Sequence, residues 1–319
     1  MRVSNILWIG IKDIITLSKI SLFSKPIIVV RLYGGLGNQL FTYAAAKRLS
    51  VSNNCKLYID SKSGFFRDFV YKRAYRLDAF EITASSSWLF SLLGFCFAFL
   101  RKLMIPINNH LSPSRQFLVL QKKLSFDPFL LSLEIKHSVL FEGFWQSEGY
   151  FKDIESIIRN EFRFKDAYVN EIYPLLKEIN FKRAVAIHVR HFNDAHHFNQ
   201  GNVDNEYYIR AIQFFKQRFS DIEFWLFSDS PEQALLKFAD IDIKYIPISS
   251  VLKGKDEIQE LFLLSQFKHF IIANSTFSWW GAWLSVQEDK IVIAPKAYIN
   301  SGEGFWGFEG LLPDEWVKM

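Results

Sequence analysis

Half of the 319 residues are hydrophobic and 17% are aromatic, which suits two domains with packed cores and excludes a disordered chain. Lys and Arg exceed Asp and Glu by 38 to 33, a balance that favours anionic partners such as phosphates but does not indicate nucleic-acid binding. The two cysteines, Cys55 and Cys96, lack metal-ligand spacing, which indicates a reduced, cytoplasmic setting.

Residues 1–24 open the chain with apolar residues that charges interrupt. The pattern lacks the continuous apolar core of a signal peptide and predicts an amphipathic lead-in. A first βαβ unit follows. Its β-branched runs predict strands over 26–32 and 56–59, and helical periodicity predicts a helix from about 37 to 50 between them.

The longest apolar run covers residues 88–100 within an unusually apolar segment, 85–112. It is shorter than the roughly 20 residues that cross a bilayer as a helix. A buried core helix is the first interpretation. Because Arg101 and Lys102 follow the run directly, a helix in a membrane interface is the alternative.

From residue 183 onward, short β-branched runs alternate with helical patterns. Strands are predicted over 183–189, 222–227, 243–246, 269–273 and 290–294, and helices over 205–219, 231–238, 256–267 and 276–286. This alternation predicts an α/β fold with parallel sheets. The charged stretch 164–182, which contains Pro174, sets the predicted boundary between a domain of residues 1–165 and one of residues 166–319.

A glycine turn between the first strand and helix is the first candidate site. It reads YGGLGNQLF over residues 33–41, and its glycines allow a ligand to approach the backbone. The residues expected at a ligand cleft are Gly35, Gly37, Asn38 and Gln39. The alternative is a structural turn in which Asn38 caps the helix.

A second candidate lies where the strand over 183–189 ends in His188 and Arg190, followed by a polar loop with Asp194. An arginine at this strand end can form paired hydrogen bonds with a diphosphate. His188 is either a catalytic group or a hydrogen-bonded core histidine.

The third candidate is the string NSTFSWWGAWL over residues 274–284, where a strand runs into a helix. Ser275 and Thr276 stand at the helix start, so their hydroxyls and the backbone N–H groups can hold a phosphate. The alternative is ordinary capping with aromatic core packing. Asp229 ends a neighbouring strand and can bind a nucleotide base or ribose, whereas the DxD pattern at 240–242 is interpreted as a turn.

Together these strings resemble the bacterial α-1,2-fucosyltransferases, glycosyltransferase family 11, in which the same motifs occur in this order. The matching strings cover residues 34–41, 188–190, 227–229 and 274–284, and segments 142–151 and 207–208 also look like parts of the pattern. The resemblance spans roughly residues 27–300.

This resemblance implies a GT-B architecture of two Rossmann-like lobes with parallel sheets facing a cleft. It also implies a GDP-fucose donor, inversion at the sugar carbon, no cofactor or required metal, and a galactose-containing glycan acceptor. The resemblance leaves two points open: the acceptor is either lipid-linked or free, and the protein either contacts the inner face of a membrane or does not. By matching position, the catalytic candidates are His188, Arg190, Asp194 and Glu148, and the nucleotide-sugar candidates are Arg190, Asp229, Asn274, Ser275, Thr276, Phe277 and Ser278.

The chain departs from the family pattern after Arg190. Many members continue with a second arginine and then Gly-Asp, whereas this chain has His191 to Asp194. His191 either replaces the second cation or contributes nothing. Two alternatives to fucosyl transfer therefore remain: a transferase that uses another sugar nucleotide, and a carbohydrate-binding relative that has lost catalysis.

Overall fold

The computed structural model describes residues 25–112, 115–191, 202–238, 245–247, 256–296 and 306–319. The first sheet contains β1 (Ile27–Arg31), β2 (Lys56–Asp60), β3 (Ser85–Ser86), β4 (Leu118–Leu120) and β5 (Val139–Glu142). Its spatial order is β3-β2-β1-β5-β4, and every pairing is parallel. Strand β1 is buried along its whole length, as its apolar sequence predicts for the centre of a parallel sheet.

Three helices accompany this sheet: α1 (Leu36–Ser52), α2 (Trp88–His110) and α3 (Glu155–Glu161). Helix α1 begins directly after Gly35 and has 12 buried residues among its 17. It therefore lies in the interior, and its sequence correctly predicted its position. The sheet and these three helices form the first lobe.

The second sheet contains β6 (Ala184–Val189), β7 (Glu223–Ser228), β8 (Tyr245–Pro247), β9 (His269–Ile271), β10 (Val292–Ala294) and β11 (Val317–Lys318). It is also parallel, in the order β11-β10-β9-β6-β7-β8. Its helices are α4 (Asp166–Val169), α5 (Tyr173–Leu176), α6 (Asn205–Arg218), α7 (Pro231–Leu236), α8 (Glu257–Ser265) and α9 (Thr276–Leu284). These elements form the second lobe, and the two parallel sheets confirm the predicted GT-B fold class. The exact domain boundary after residue 165 stays a prediction.

Side-chain caps explain why α6 and α8 begin where they do. The Asp204 carboxylate accepts a hydrogen bond from the Tyr207 amide at 2.8 Å, and the Asp256 carboxylate accepts one from the Ile258 amide at 2.8 Å. Each carboxylate satisfies an amide that has no partner within its helix and lies near the positive end of the helix dipole.

Helices α1 and α9 join the two lobes. The Trp280 indole N–H donates to the Gly37 carbonyl at 2.9 Å. The Phe41 ring lies 4.4 Å from the Trp279 ring and 4.8 Å from the Trp280 ring. All three aromatic side chains are fully buried, so a continuous aromatic core holds the lobes together.

Helix α2 differs from the buried core helix that was the first interpretation of its sequence. It has 23 residues, and only 22% of its apolar window is buried. Trp88 and Phe99 are 73% and 66% exposed. Only one side of the helix, including Phe90 and Phe97, is buried, so the core-helix prediction is wrong. The predicted lead-in at 1–24 and the turn at 240–242 lie outside the described residues.

Candidate active site

In each sheet, the spatial order of the strands changes direction next to the strand that comes first in the sequence. In the first lobe the reversal lies between β1 and β5, and in the second it lies between β6 and β9. Ligands of parallel sheets bind in the crevice beyond the strand ends at such points. The residues that follow these four strands face one another across a cavity of about 370 Å³.

Both lobes contribute polar side chains to this cavity. The first lobe supplies Gly35, Leu36, Gly37, Asn38, Gln39, Arg73, Ala74 and Gln146, and the second half of the chain supplies His188, Arg190, Asp229, Glu257, Glu260, Asn274, Ser275, Thr276, Phe277 and Trp306. The structure thus brings together candidates that lie up to 242 positions apart in sequence. Most residues of the predicted site lie here.

Asn38 and Gln39 use their side chains to hold the walls of the cavity. The Asn38 side-chain oxygen accepts hydrogen bonds from Gln146 at 2.8 Å and from the Thr276 hydroxyl at 3.2 Å. The Gln39 amide group donates to the carbonyls of Gly34 and Ala74 at 3.1 Å and 2.9 Å. Gln39 therefore fixes the backbone at the cavity, whereas Asn38 links a side chain of the first lobe to one of the second.

Arg190 is oriented by Asp229, which lies at the end of the adjacent strand β7. The two side chains form an ion pair with an N–O distance of 2.9 Å, and both are about one-third exposed. The other Asp229 oxygen accepts a hydrogen bond from the His191 amide at 3.0 Å. The carboxylate of Asp229 positions the guanidinium of Arg190, and its expected contact with a base or ribose stays a prediction.

His191 does not replace the missing family arginine as a cation. Burial lowers the pKa of its imidazole, nearby Lys237 adds to that effect, and Asp229 opposes it. The ring lies 3.8 Å from Asp229, but the lowered pKa leaves it neutral at neutral pH. The contact is therefore not an ion pair.

His188 is a buried, neutral histidine at the cavity wall. Burial, with a smaller effect of the Arg190 guanidinium, lowers its pKa to about 3. Its ring lies 5.8 Å from the Phe277 ring. Because a general base works best with a pKa near the operating pH, His188 is suited to hydrogen bonding and poorly suited to proton abstraction.

The neutral state of His188 predicts a pH-dependent stability. Its pKa of about 3 in the folded protein lies below the unfolded value of 6.5, so the unfolded chain binds the extra proton between these values. Stability therefore falls as pH drops through 6.5. Lowering the pH from 7 to 5 should cost about 2 kcal/mol through this histidine alone.

Urea unfolding at pH 7 and pH 5 measures this effect. The loss of stability should be smaller in His188→Gln than in the wild type. His269 offers a comparison away from the cavity, because burial and then Lys268 lower its pKa to about 4. His269→Gln should therefore also reduce the loss of stability between pH 7 and pH 5. An unchanged pH dependence in His188→Gln would contradict a neutral His188.

The start of helix α9 presents Ser275 and Thr276 to the cavity. Ser275 occupies the N-cap position in an extended conformation, and its side chain makes no capping hydrogen bond. The first amides of α9 and its dipole therefore point toward the cavity, where they favour an anion. Ser278 is different: it is fully buried, and its hydroxyl donates to the Ser275 carbonyl at 3.1 Å.

The structure does not place Glu148 in the cavity. One of its carboxylate oxygens lies 2.9 Å from the Lys152 ammonium group, and the other accepts a hydrogen bond from the Trp283 indole at 3.4 Å. Glu148 was expected to be a catalytic residue, but these contacts hold it near the C-terminal end of α9. The expected position of Glu148 at the active site is therefore wrong. Asp194 lies outside the described residues.

Five polar or aromatic residues of the cavity were not singled out from the sequence: Arg73, Gln146, Glu257, Glu260 and Trp306. Burial raises the pKa of Glu257, against the opposing effect of Arg76, whose guanidinium lies 3.1 Å from the Glu257 carboxylate. Gln146 falls within the family-like segment 142–151 and could have been found there. Arg73 belongs to no motif, and only the tertiary structure reveals its position.

The chain matches one known protein family over most of its length. The sequence model described as "Glycosyl transferase family 11" matches residues 27–317. An alpha-1,2-colitosyltransferase from Escherichia coli is 30% identical over 304 residues, covering 92% of this chain and 99% of that protein. The O-antigen biosynthesis glycosyltransferase WbnK, also from Escherichia coli, is 27% identical over 315 residues, covering 90% and 99%.

Two solved structures illustrate the similarity of the fold. The fucosyltransferase NodZ from Bradyrhizobium has a TM-score of 0.47 and 14% identity, with 82% of this chain and 94% of that chain covered. POFUT1 in complex with GDP-fucose has a TM-score of 0.48 and 12% identity, with 86% and 98% covered.

Proposed function

The chain belongs to glycosyl transferase family 11, and from this premise we propose that it transfers L-fucose from GDP-fucose to the 2-hydroxyl group of a galactoside. The acceptor is part of a surface glycan or a related oligosaccharide. The observation that carries the proposal is the polar cavity between the two strand-order reversals, which is lined by Arg190 and the start of α9. The motif resemblance supplies the identity of the sugar.

Arg190 and helix α9 are the groups that stabilise the departing nucleotide in this proposal. When an acceptor hydroxyl attacks the fucose carbon, the bond to GDP breaks, the hydroxyl group releases its proton, and negative charge develops on the diphosphate. Fixed positive groups aimed at that charge lower the barrier. The Arg190 guanidinium, held by Asp229, and the α9 amides are suited to this role, and Arg73 adds a cation on the opposite wall.

Attack from the face opposite the diphosphate inverts the sugar carbon. The acceptor is then on the side of the glycine turn, where Asn38 and Gln146 are joined by a hydrogen bond of 2.8 Å. We propose that protein groups alone stabilise the leaving group, so that the reaction needs no metal ion.

Colitosyl transfer is the second candidate function. It is favoured by the 30% identity to an alpha-1,2-colitosyltransferase across almost the whole of both chains. Colitose is fucose without its 3-hydroxyl group, so the two donors differ at one polar position. A site built to hydrogen-bond that hydroxyl rejects the deoxy sugar by a factor of about 10⁴ to 10⁵, whereas an apolar pocket discriminates only weakly.

A donor panel tests the proposal. Purified protein is given GDP-fucose, GDP-colitose, GDP-mannose or UDP-galactose, each with β-galactoside acceptors, and GDP or UDP release is measured with and without EDTA. We expect acceptor-dependent turnover with GDP-fucose that EDTA leaves unchanged, and product linkage analysis should then show a bond to the galactose 2-hydroxyl. Arg190→Ala, prepared in parallel, controls for contaminating hydrolases.

The other outcomes each lead to a different conclusion. Turnover with GDP-colitose and none with GDP-fucose would establish the second candidate. Turnover only with GDP-mannose or UDP-galactose would overturn both. Tight GDP binding without turnover on a broad acceptor panel would favour a carbohydrate-binding relative that has lost catalysis. Loss of activity in EDTA, restored by a divalent cation, would refute the metal-free mechanism.

A further inference from the structure

Helix α2 (Trp88–His110) is apolar on both of its sides. Its 23 residues have a mean hydropathy of 1.7 over the most apolar window. An all-round apolar helix is normally buried in a core or a membrane, yet this one has a large exposed face. That face consists of Trp88, Leu89, Leu92, Leu93, Phe99 and Leu103, which are each at least 40% exposed.

The inner side of α2 is anchored to the first lobe. The Phe90 ring lies 4.5 Å from the Tyr58 ring on β2, and Gly94 lies so close to Asp60 and Ser63 that a side chain there would collide with them. Arg101 forms an ion pair with the buried Glu142. The helix is long enough to cross a bilayer, but these contacts require it to lie along the surface of the lobe.

A neighbouring loop, residues 61–73, extends the apolar surface toward the active-site cavity. The Phe66 ring packs against Phe95 and Phe99 of α2 at centroid distances of 5.1 Å and 5.7 Å. Phe69 and Val70 of this loop are 78% and 71% exposed. The loop ends at Arg73, which lines the cavity, so the apolar surface reaches the edge of the candidate active site.

Basic residues predominate around this apolar surface, although the loop 61–73 also contains Asp68. Residues 82–126 contain no Asp or Glu and five basic residues: Arg101, Lys102, Arg115, Lys122 and Lys123. All five of these side chains are exposed. A surface that combines apolar side chains with positive charge is complementary to the interface of an anionic bilayer. A second copy of the same surface would be repelled by like charge, which argues against self-association.

We propose that the outer face of α2 and the loop 61–73 dock this protein on an anionic lipid surface, with the helix axis parallel to the membrane plane. The apolar side chains enter the boundary between headgroups and acyl chains, and Lys102, Arg115, Lys122 and Lys123 contact the lipid phosphates. The cavity edge at Arg73 then lies near the membrane. The proposal concerns binding alone, so it does not depend on which sugar is transferred.

Vesicle co-sedimentation of the full chain tests the docking surface. The vesicles contain either phosphatidylcholine alone or equal parts of phosphatidylcholine and phosphatidylglycerol. We expect binding to the mixed vesicles, weaker binding to phosphatidylcholine, and release at high salt. The double variant Leu92→Gln/Phe99→Gln should lower the partition coefficient at least about tenfold, because it removes two apolar side chains that would be partly buried in the membrane.

The matched control is Leu236→Gln/Val286→Gln, which replaces two other apolar residues that are 76% and 79% exposed in the second lobe. This variant should bind vesicles like the wild type, and both variants should keep the wild-type unfolding temperature. A contribution to binding from elsewhere in the chain is common to all three proteins. Equal vesicle binding by the α2 variant and the wild type would therefore overturn the proposal.

Light scattering after size exclusion distinguishes a protein partner from a lipid one. We expect a monomer in the absence of vesicles. A wild-type dimer that the α2 variant loses, together with no binding to the mixed vesicles, would assign the same face to a second copy of the chain and refute lipid docking.

Discussion

Arg190→Ala should lower kcat/KM for the nucleotide-sugar donor by about 10² to 10³, the usual effect of removing one preorganised group that stabilises transition-state charge. Arg190 lines the cavity and is oriented by an ion pair of 2.9 Å to Asp229. Because the charge on the diphosphate grows as the bond breaks, kcat should fall more than donor affinity. Steady-state kinetics with varied donor, combined with GDP titration by calorimetry, separates the two terms.

Three further variants define the role of this arginine. Arg190→Lys keeps the charge but loses the planar geometry that matches a diphosphate, so it should recover only part of the rate. Asp229→Asn keeps the shape but removes the charge that orients Arg190, and we expect a smaller loss of roughly tenfold. Arg210→Ala removes an exposed arginine that pairs with Glu206 on the surface of α6 and should keep full activity.

An equal effect of Arg190→Ala and Arg210→Ala on kcat/KM would exclude Arg190 from the reaction. Loss of GDP affinity with an unchanged kcat would assign it to donor binding alone. In that case the α9 amides and Arg73 would have to supply the stabilisation of the leaving group.

The strands β6 to β10 and the helices α6 to α9 of the second lobe could be predicted because each of these strands is a short apolar run between helical patterns. Strand β6, for example, was expected over 183–189 and is observed at Ala184–Val189. The strands β3 and β11, of two residues each, and the strands β4 and β5 were not predicted. Leu118–Leu120 is too short to show a period, and Val139–Glu142 has only three apolar residues, which follow a mixed polar sequence.

The candidate site was predicted as separate strings, and the contacts between them were not. The unusual composition of residues 274–284 shows why. Its polar start at Ser275 borders the cavity, and its tryptophans face the other lobe, where Trp280 donates to the Gly37 carbonyl. Each string therefore combines a ligand-facing part with a packing part. The sequence alone could not show that the packing part of one string contacts the glycine turn of the other.

Local sequence also could not decide the environment of helix α2. An apolar run of this kind fits a core helix and an exposed docking helix equally well. The difference depends on how much of its surface the lobe covers, which is a property of the tertiary structure. The one-sided contact through Phe90 and Gly94 leaves the outer face exposed. The basic residues around that face are relevant to docking only because the face is exposed.

Gly37→Ala should be among the most damaging single substitutions in the glycine turn. A Cβ atom at Gly37 would lie 2.5 Å from the Thr276 carbonyl carbon and 2.7 Å from its carbonyl oxygen. Because backbone atoms must move to relieve this overlap, we expect a destabilisation of about 1 to 3 kcal/mol. Helix propensity alone predicts the opposite sign, since alanine is favoured over glycine within a helix by about 1 kcal/mol.

The same overlap should reduce catalysis, because it separates the glycine turn from the start of α9 at the cavity. A displacement of about 1 Å in a positioned group can cost roughly 10²-fold in rate. Gly35→Ala is the matched control: Gly35 has φ −70°, which alanine adopts readily, and its nearest neighbour would be the Arg73 side chain at 3.8 Å. Thermal unfolding should therefore distinguish the two variants. A Gly37→Ala variant at least as stable as Gly35→Ala would contradict this prediction. Helix propensity would then outweigh the inter-lobe contact, and the close approach of α1 to α9 would not require a glycine at position 37.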